Sequence, residues 1–254
     1  MTALDTAFNY NGFTSHRTLA RIAPDLLPDF DLSTKVGYFP DGHDLDPQRL
    51  REAVEQSAED LGRIPDTVLL HNPERSPGDL APACAALSQM RDQGLCRAWG
   101  ITTWDPRPLR HATRDIPRPD VVMIRTGLTV PGAVLDAAEE FTERVNPLQR
   151  WGMAPFAGNT ADPLWTTVDT ALFVAPGQQA TAVQAGIAAA FALPTVSRLA
   201  VGTSSPGHLA ELASGARLET NAKTMTHYRV LLRRTATVGE RETGERNGSA
   251  ASHG

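Results

Sequence analysis

The 254-residue chain has little cysteine and no long apolar stretch. Cys84 and Cys96 are its only cysteines and form no CxxC motif. Because secreted domains held by disulfides need closely spaced even sets of cysteines, this scarcity predicts two buried or half-buried thiols in a reducing cytoplasm. The longest apolar run, residues 185–193, ends at Pro194 and falls far short of the roughly 20 residues of a membrane span. An acid at position 5 argues against a secretion signal. We therefore expect a cytoplasmic protein without a membrane segment.

The chain also lacks an excess of positive charge. It has 24 basic and 29 acidic side chains, for a net charge of −5. This balance argues against nucleic acid or anionic lipid as a partner and favours a small molecule, and it leaves a homo-oligomer open. Lysine is scarce, since only Lys35 and Lys223 occur. The dominance of arginine and alanine indicates a GC-rich, bacterial genome, which is compatible with a role in secondary metabolism.

Several motifs that are typical of well-known enzyme chemistries are absent. No GxGxxG or P-loop follows a predicted strand, and no serine lies in a GxSxG elbow. The seven histidines show neither HxH nor HExxH spacing, so we expect no metal site.

What is present is a regular alternation of strand-like and helix-like segments. Most strand candidates are apolar on both faces, as are parallel strands covered by helices. The pattern predicts an α/β fold, either an open doubly wound sheet or a (β/α)8 barrel. The predicted strands are 2–6, 32–36, 67–71, 97–102, 121–126, 152–156 and 199–203, and the predicted helices are 45–61, 77–93, 106–114, 133–149, 181–193 and 206–214. Serine or aspartate before proline predicts helix starts at Pro77, Pro106 and Pro206.

No linker divides residues 1–234, which we expect to form one domain. Its last segment, residues 221–234, has apolar side chains at helical intervals and predicts a final helix. Residues 235–254 are small, polar and rich in glycine and serine, so we expect them to form a disordered tail.

Polar side chains lie at the ends of four successive predicted strands. They are Asp5, Lys35, His71 and the pair Thr102 and Thr103. Because parallel strands end side by side, we expect these groups to converge on the functional edge of a barrel. Each one alone is equally compatible with a structural role.

Together the segments that carry these residues resemble the aldo-keto reductase family. Asp5-Thr6-Ala7-Phe8-Asn9-Tyr10 is similar to that family's DTA-x-x-Y, Ser33-Thr34-Lys35 to its S-T-K, and Leu69-Leu70-His71-Asn72-Pro73 to its L-L-H-x-P. Residues 94–104 and 199–212 resemble two later family segments, so the likeness spans about 3–215.

The resemblance implies a nicotinamide-dependent carbonyl reductase acting on an aldehyde or ketone of a small metabolite. Tyr10 would be the general acid, Lys35 would stabilise its phenolate, Asp5 would hold Lys35, and His71 would orient the substrate carbonyl. The chemistry is consistent, because an isolated phenol titrates near pH 10 and is a poor acid near pH 7 without a neighbouring cation. The hydride must come from NADP or NAD, since no side chain supplies one.

The chain departs from the family pattern at its start and in the cofactor segments. Only seven strands are predicted, as if the first strand and helix of the (β/α)8 barrel were lacking. Trp104 and Trp165 are candidates for lining the substrate pocket. Where the resemblance places cofactor contacts, the chain has Thr102, Thr103, Met123, Met153, Thr203, Ser204, Ser205 and His208, which do not decide between NADP and NAD.

Two other hypotheses stay open at this stage. The acid–base residues could serve a cofactor-independent isomerase, dehydratase or cyclase on the same barrel, or the chain could be a non-catalytic binding relative. The substrate cannot be read from the sequence, because loops that vary independently of the scaffold set specificity in this fold.

Overall fold

A computed structural model describes residues 2–111, 115–158 and 164–234 of the chain, leaving aside the side chains of residues 111, 164 and 166. The predicted tail at 235–254 lies outside these residues. The described chain divides into two compact units. The first comprises residues 2–125, 137–153 and 197–200, and the second comprises 126–136, 154–196 and 201–234 within the described ranges.

The first unit is built on a sheet of seven parallel strands, as in a (β/α)8 barrel. Their order across the sheet is β1, β2, β5, β6, β7, β8 and β9, which follows the chain. The strands are β1 Ala3–Asp5, β2 Asp31–Val36, β5 Thr67–His71, β6 Ala98–Thr103, β7 Val121–Arg125, β8 Gln149–Met153 and β9 Arg198–Ala200, and the hairpin β3 Tyr38–Phe39 with β4 Gly42–His43 follows β2. The sheet curves into a nearly closed barrel, since Arg198 Nη2 of the edge strand β9 lies 3.4 Å from Asp31 Oδ2 of β2, the strand beside the other edge strand β1.

Apolar side chains on both faces explain why these segments form buried parallel strands. The register aligns Lys35, Leu69, Gly100 and Val121 in one row across four strands, so their side chains share a face. Gly100 is required there, because a Cβ at this position would lie 2.1 Å from the carbonyl oxygen of Val121.

Helices alternate with the strands, mostly where the sequence predicts them. They are α1 Tyr10–Phe13, α2 Ser15–Ile22, α3 Pro47–Leu61, α4 Leu80–Asp92, α5 Gly132–Val145, α6 Leu164–Thr167, α7 Ala182–Ala192, α8 Pro206–Gly215 and α9, residues 222–234. Side chains cap several of them, as expected for their residue types. Asp46 accepts from the N–H of Arg49, Thr181 forms a capping box, and Ser205 caps α8.

Some predicted boundaries are wrong. Helix α4 begins after Asp79, whose carboxylate accepts from the N–H of Ala81, and not at Pro77. Of the segment predicted as a helix over 106–114, the described part forms a 3-10 turn at Arg107–His111, because two prolines in six residues restrict the backbone, and residues 112–114 lie outside the described residues. Strand β8 begins three residues before the predicted start, at Gln149.

The second unit is helical and has its own apolar core. Leu128, Val134, Phe173 and Leu193 are among its buried residues. Helix α9 packs on this core and is anchored by Tyr228, whose hydroxyl donates to the carbonyl oxygen of Leu128 at 2.6 Å. The predicted last helix over 221–234 is therefore confirmed within one residue.

Among the described residues, every helix is too short or too polar to cross a lipid bilayer.

Candidate active site

The candidate site lies at the carboxyl ends of the strands in the first unit. Lys35 and Leu69 face each other in register, and Asp5 is paired with Ser33, two residues before Lys35. Because side chains alternate along a strand, Asp5, Ser33, Lys35 and His71 all stand on one face of the sheet. The sheet therefore brings together the polar groups that the sequence places on separate strands.

Lys35 and Asp5 form an ion pair at the centre of a closed hydrogen-bond network, in which the ammonium is buried and the carboxylate is partly exposed. The Nζ of Lys35 donates to Asp5 Oδ2 at 2.5 Å and to the carbonyl oxygen of Thr6 at 2.9 Å. The hydroxyl of Ser33 donates to the other carboxylate oxygen of Asp5 at 2.8 Å. Lys35 is only 2% exposed, so its charge needs these partners to be tolerated.

Tyr10 lies just outside this network, next to the ammonium group. The Nζ of Lys35 is 5.2 Å from the centre of the Tyr10 ring, and the ring remains 41% exposed. Tyr10 opens a tight turn in which Asn11, Gly12 and Phe13 all have positive φ angles of 51°, 59° and 65°. Asparagine and glycine tolerate this left-handed region better than other residues, which explains why the sequence turns there. The turn leaves the tyrosine accessible to a substrate.

His71 ends β5 and faces the same space. Its ring lies edge-on to that of Tyr10, with 6.2 Å between the centroids. Burial, assisted by the positive charge of Lys35, lowers the pKa of His71 to about 3, so the imidazole is neutral near pH 7. A neutral imidazole donates one hydrogen bond and accepts one. Its Nδ1 is buried and has no hydrogen-bond partner in the described part of the chain.

A small hairpin that sequence reasoning missed forms one wall beside His71. Tyr38 and His43, one on each strand, stack with 4.4 Å between ring centroids. Both rings meet His71 edge-on, with centroid distances of 6.3 Å in each case. The hairpin could have been predicted from its turn residues, Pro40, Asp41 and Gly42.

The cofactor positions expected on β6, β7 and β8 are placed together but make few polar contacts. Thr102 and Thr103 are fully buried at the end of β6. The hydroxyl of Thr102 donates only to the sulfur of Met153, at 3.5 Å, and a thioether is a weak acceptor. Met123 is buried in an apolar cluster with Leu69.

Trp104 follows β6 and lies against Arg125, the last residue of β7. The Arg125 guanidinium carbon is 4.5 Å from the centre of the Trp104 ring. The backbone N–H groups of Trp104 and Asp105 both donate to Oε1 of Glu74, at 2.7 and 3.0 Å, which fixes the loop. Burial raises the pKa of Glu74.

The remaining predicted site residues belong to the second unit. Thr203 and Ser204 are exposed before α8, Ser205 is the N-cap, and its Oγ accepts from the N–H of His208 at 3.4 Å. Trp165 packs edge-on against Phe156, with 5.2 Å between centroids, and adjoins the apolar core of this unit.

Comparison with known proteins identifies the family. The sequence model of the Aldo/keto reductase family matches residues 1–145, more than half of the chain. This chain belongs to the aldo/keto reductase family. It thus belongs to a family of nicotinamide-dependent oxidoreductases. Among curated protein sequences none matches it.

Solved structures of aldo-keto reductases share its fold. An aldo-keto reductase from Bacillus halodurans, in its holo form, has 18% identity and a TM-score of 0.69, covering 91% of this chain and 82% of that one. One from Klebsiella pneumoniae in complex with NADPH also has 18% identity and a TM-score of 0.69, covering 91% and 80%. One from Pseudomonas aeruginosa has 22% identity and a TM-score of 0.62, covering 85% and 77%. At these identities the likeness establishes the fold.

Proposed function

We propose that this protein reduces an aldehyde or ketone on a small metabolite, using NADPH or NADH, with Tyr10 as the proton donor. The observation that carries the proposal is the buried ammonium of Lys35, held by Asp5 at 2.5 Å and 5.2 Å from the Tyr10 ring. A cation fixed there stabilises the phenolate that remains when Tyr10 gives up its proton.

Each polar group of the site then has a distinct task. Tyr10 donates its proton to the carbonyl oxygen as that oxygen becomes an alkoxide. His71 is neutral, so its N–H orients the same oxygen without competing for the proton. Asp5 holds Lys35 in place, and Ser33 holds Asp5. The open face of Tyr10 gives a substrate access to the phenol.

Residues on the neighbouring strands fit a nicotinamide group. A reduced nicotinamide supplies the hydride that no side chain can provide. Thr102 would hold its carboxamide, because the hydroxyl is now bound only to the weak acceptor Met153 and can exchange it for an amide oxygen. Met153 would offer a polarizable surface to the ring. Thr203, Ser204, Ser205 and His208, at the start of α8, stay predicted cofactor contacts.

The cytoplasmic location, the bacterial origin and the role in secondary metabolism stay predictions. So does a homo-oligomer.

Cofactor titration and one substitution test the proposal. NADPH and NADH are titrated into the protein while tryptophan fluorescence is followed, and aldehydes are then screened with whichever nucleotide binds. We expect micromolar binding.

Tyr10→Phe should lower turnover at least about 10²-fold and leave cofactor affinity within about twofold, since only the proton donor is lost. Near-normal turnover in Tyr10→Phe would contradict the role of Tyr10, and absence of nucleotide binding by the folded protein would contradict hydride transfer.

A second candidate, acid–base chemistry without a nicotinamide, is favoured by one observation. Met123 is 1% exposed and lies in an apolar cluster, so it offers no hydrogen bond at the position where the family resemblance predicts a cofactor contact. In that case Tyr10 and Lys35 would serve an isomerase, dehydratase or cyclase. Turnover of a substrate with no nucleotide present, abolished by Tyr10→Phe, would identify this alternative.

A further inference from the structure

Arg125 is a cation at the functional edge that forms no salt bridge within the part of the chain that the structure describes, and Asp105 acts on it only from a distance. It ends β7 two residues after Met123, so it stands on the face of the sheet that carries the interior cluster of Leu69 and Met123. The register connects that face with Lys35 and His71. Arg125 therefore stands on the sheet face that carries the proposed catalytic residues.

The surroundings of Arg125 leave its hydrogen-bonding capacity unused. Its Nε is buried without a hydrogen-bond partner, and no carboxylate lies within 4 Å of the guanidinium among the residues that the structure describes. Burial lowers the pKa of Arg125, and Asp105 opposes that shift only from a distance. Asp105 is itself bound by the guanidinium of Arg107, with contacts of 2.6 to 3.0 Å. A half-buried guanidinium without a carboxylate partner is costly for the protein alone.

Trp104 makes the guanidinium a prepared binding group. The indole supports Arg125 at 4.5 Å, and two hydrogen bonds to Glu74 fix the backbone of the loop that carries Trp104. A guanidinium stacked on an aromatic ring keeps its planar fork of N–H groups free for a carboxylate, which it binds with two parallel hydrogen bonds.

We propose that Arg125 and Trp104 form a subsite for an anionic group of the substrate, and that the enzyme acts on carbonyl compounds bearing a carboxylate. This inference rests on the proposed reductase function. Strand β7 is two strands away from β5, about 10 Å at the usual spacing between strands. A carboxylate on Arg125 and a carbonyl beside His71 would therefore belong to one small molecule whose two groups are separated by a spacer such as a benzene ring.

A matched pair of aldehydes tests the subsite. 4-Formylbenzoate carries the carboxylate, and methyl 4-formylbenzoate has the same aldehyde without the charge. We expect kcat/KM to favour the acid at least about tenfold in the wild type, because a charge-assisted hydrogen bond is lost with the ester. Arg125→Gln should remove that preference, mainly by raising KM for the acid. The variant's kcat/KM for the ester should stay within about twofold of the wild-type value. Arg125→Lys keeps the charge but lacks the planar fork of N–H groups. Its preference for the acid should lie between those of the wild type and Arg125→Gln.

Arg75 supplies the matched control. It is exposed close to His71, and its charge contributes to the lowered pKa of that histidine. Arg75→Gln removes the same charge from the same edge and should keep most of the preference for the acid. An equal loss in both variants would overturn the proposal, because it would show a general electrostatic effect. Equal losses for acid and ester in Arg125→Gln would do the same, by showing a structural role.

Two further measurements separate the subsite from the cofactor and from the proposed reaction. NADPH affinity should be the same in Arg125→Gln and in the wild type, and a selective loss there would assign the anion to a cofactor phosphate and overturn the inference.

Calorimetric binding of 4-formylbenzoate and its ester is measured without nucleotide. If no aldehyde is reduced, the proposed function fails, yet binding of the acid that is lost in Arg125→Gln would still support the subsite. Equal binding of acid and ester would refute it.

Discussion

The strands on the two sides of β5 differ in how their polar groups are satisfied. On β1 and β2, Asp5, Ser33 and Lys35 bond to one another and form a closed network. On β6 and β7, the hydroxyl of Thr102 has only a thioether as acceptor, and Arg125 has an indole in place of a carboxylate. The same sheet thus carries one complete polar network and one set of poorly satisfied groups.

This difference separates groups that the protein holds for itself from groups that suit a ligand. A buried ammonium must be neutralised before any substrate arrives, since an unpaired buried charge would oppose folding. A hydroxyl or guanidinium whose partner is weak gains most when a ligand supplies a better one. Substitutions on the first side should therefore affect both stability and turnover, whereas those on the second should affect ligand binding.

The largest effect is expected when the closed network is broken at its centre. Lys35→Met removes the ammonium and leaves Asp5 without its counter-charge. We expect turnover to fall at least about 10³-fold, because Tyr10 loses the cation that stabilises its phenolate. The free energy of unfolding should fall by about 1 to 2 kcal/mol, because the hydrogen bonds of the ammonium are lost while Asp5, which keeps its charge, is partly exposed to water. Steady-state kinetics and urea unfolding measure the two effects.

The chain offers a convenient control for this variant. Lys223, its only other lysine, is exposed on α9, and Lys223→Met should change neither turnover nor stability. If Lys35→Met keeps turnover within tenfold of the wild type, the network is a structural feature and does not activate Tyr10. The double variant Asp5→Asn with Lys35→Met should recover part of the stability but none of the turnover.

A second test of the catalytic side uses a buried histidine behind it. The Nε2 of His16 lies 2.8 Å from the hydroxyl of Thr34, next to Lys35 in sequence, and the side chain is 3% exposed. Burial lowers the pKa of His16 from 6.5 to about 4. The unfolded chain then binds more protons than the folded one below pH 6.5, so this stabilising contribution is present above that pH and is lost as the pH falls towards 4.

The expected loss is about 2 kcal/mol between pH 7 and pH 5 for this one group. Unfolding by urea at both pH values measures it, and His16→Gln should reduce the difference by about that amount. The control variant is His227→Gln, because His227 is exposed on α9. This substitution should leave the pH dependence of stability unchanged. A pH dependence equal to the wild type in His16→Gln would mean that His16 titrates normally in the folded protein.

The sequence predicted the sheet well because its signals are local. Strand Thr67–His71 was predicted to the residue, since three consecutive apolar side chains stand between polar and turn residues. The last strands were placed less accurately, and Gly152 was taken as the start of β8 although the strand begins at Gln149. The polar first residues of that strand, Gln149 and Arg150, hide it from a hydrophobicity pattern. Helix α2 was missed because its short pattern, Ser15–Ile22, is only weakly apolar.

Only those site residues that belong to sequence motifs were predicted as a set. Asp5, Tyr10, Lys35 and His71 were recognised as a set, and the structure brings all four together; their roles stay predictions. No sequence motif indicates the partner of Arg125. Only a three-dimensional arrangement shows that its neighbour is an indole, because Trp104 lies in the loop after β6 whereas Arg125 ends β7.

The smallest effects come from a pair of hydroxyl deletions that compares the two sides directly. Thr102→Val removes a hydroxyl whose acceptor is the sulfur of Met153, and Ser33→Ala removes one that donates to Asp5 at 2.8 Å. If Thr102 holds the carboxamide, Thr102→Val should weaken cofactor binding about fivefold with little change in stability, since one neutral hydrogen bond is worth about 1 kcal/mol. Ser33→Ala should do the opposite, because the protein itself uses that bond. Fluorescence titration with NADPH and urea unfolding measure both variants. Equal cofactor affinities with equal losses of stability would remove the distinction between the two sides of the sheet.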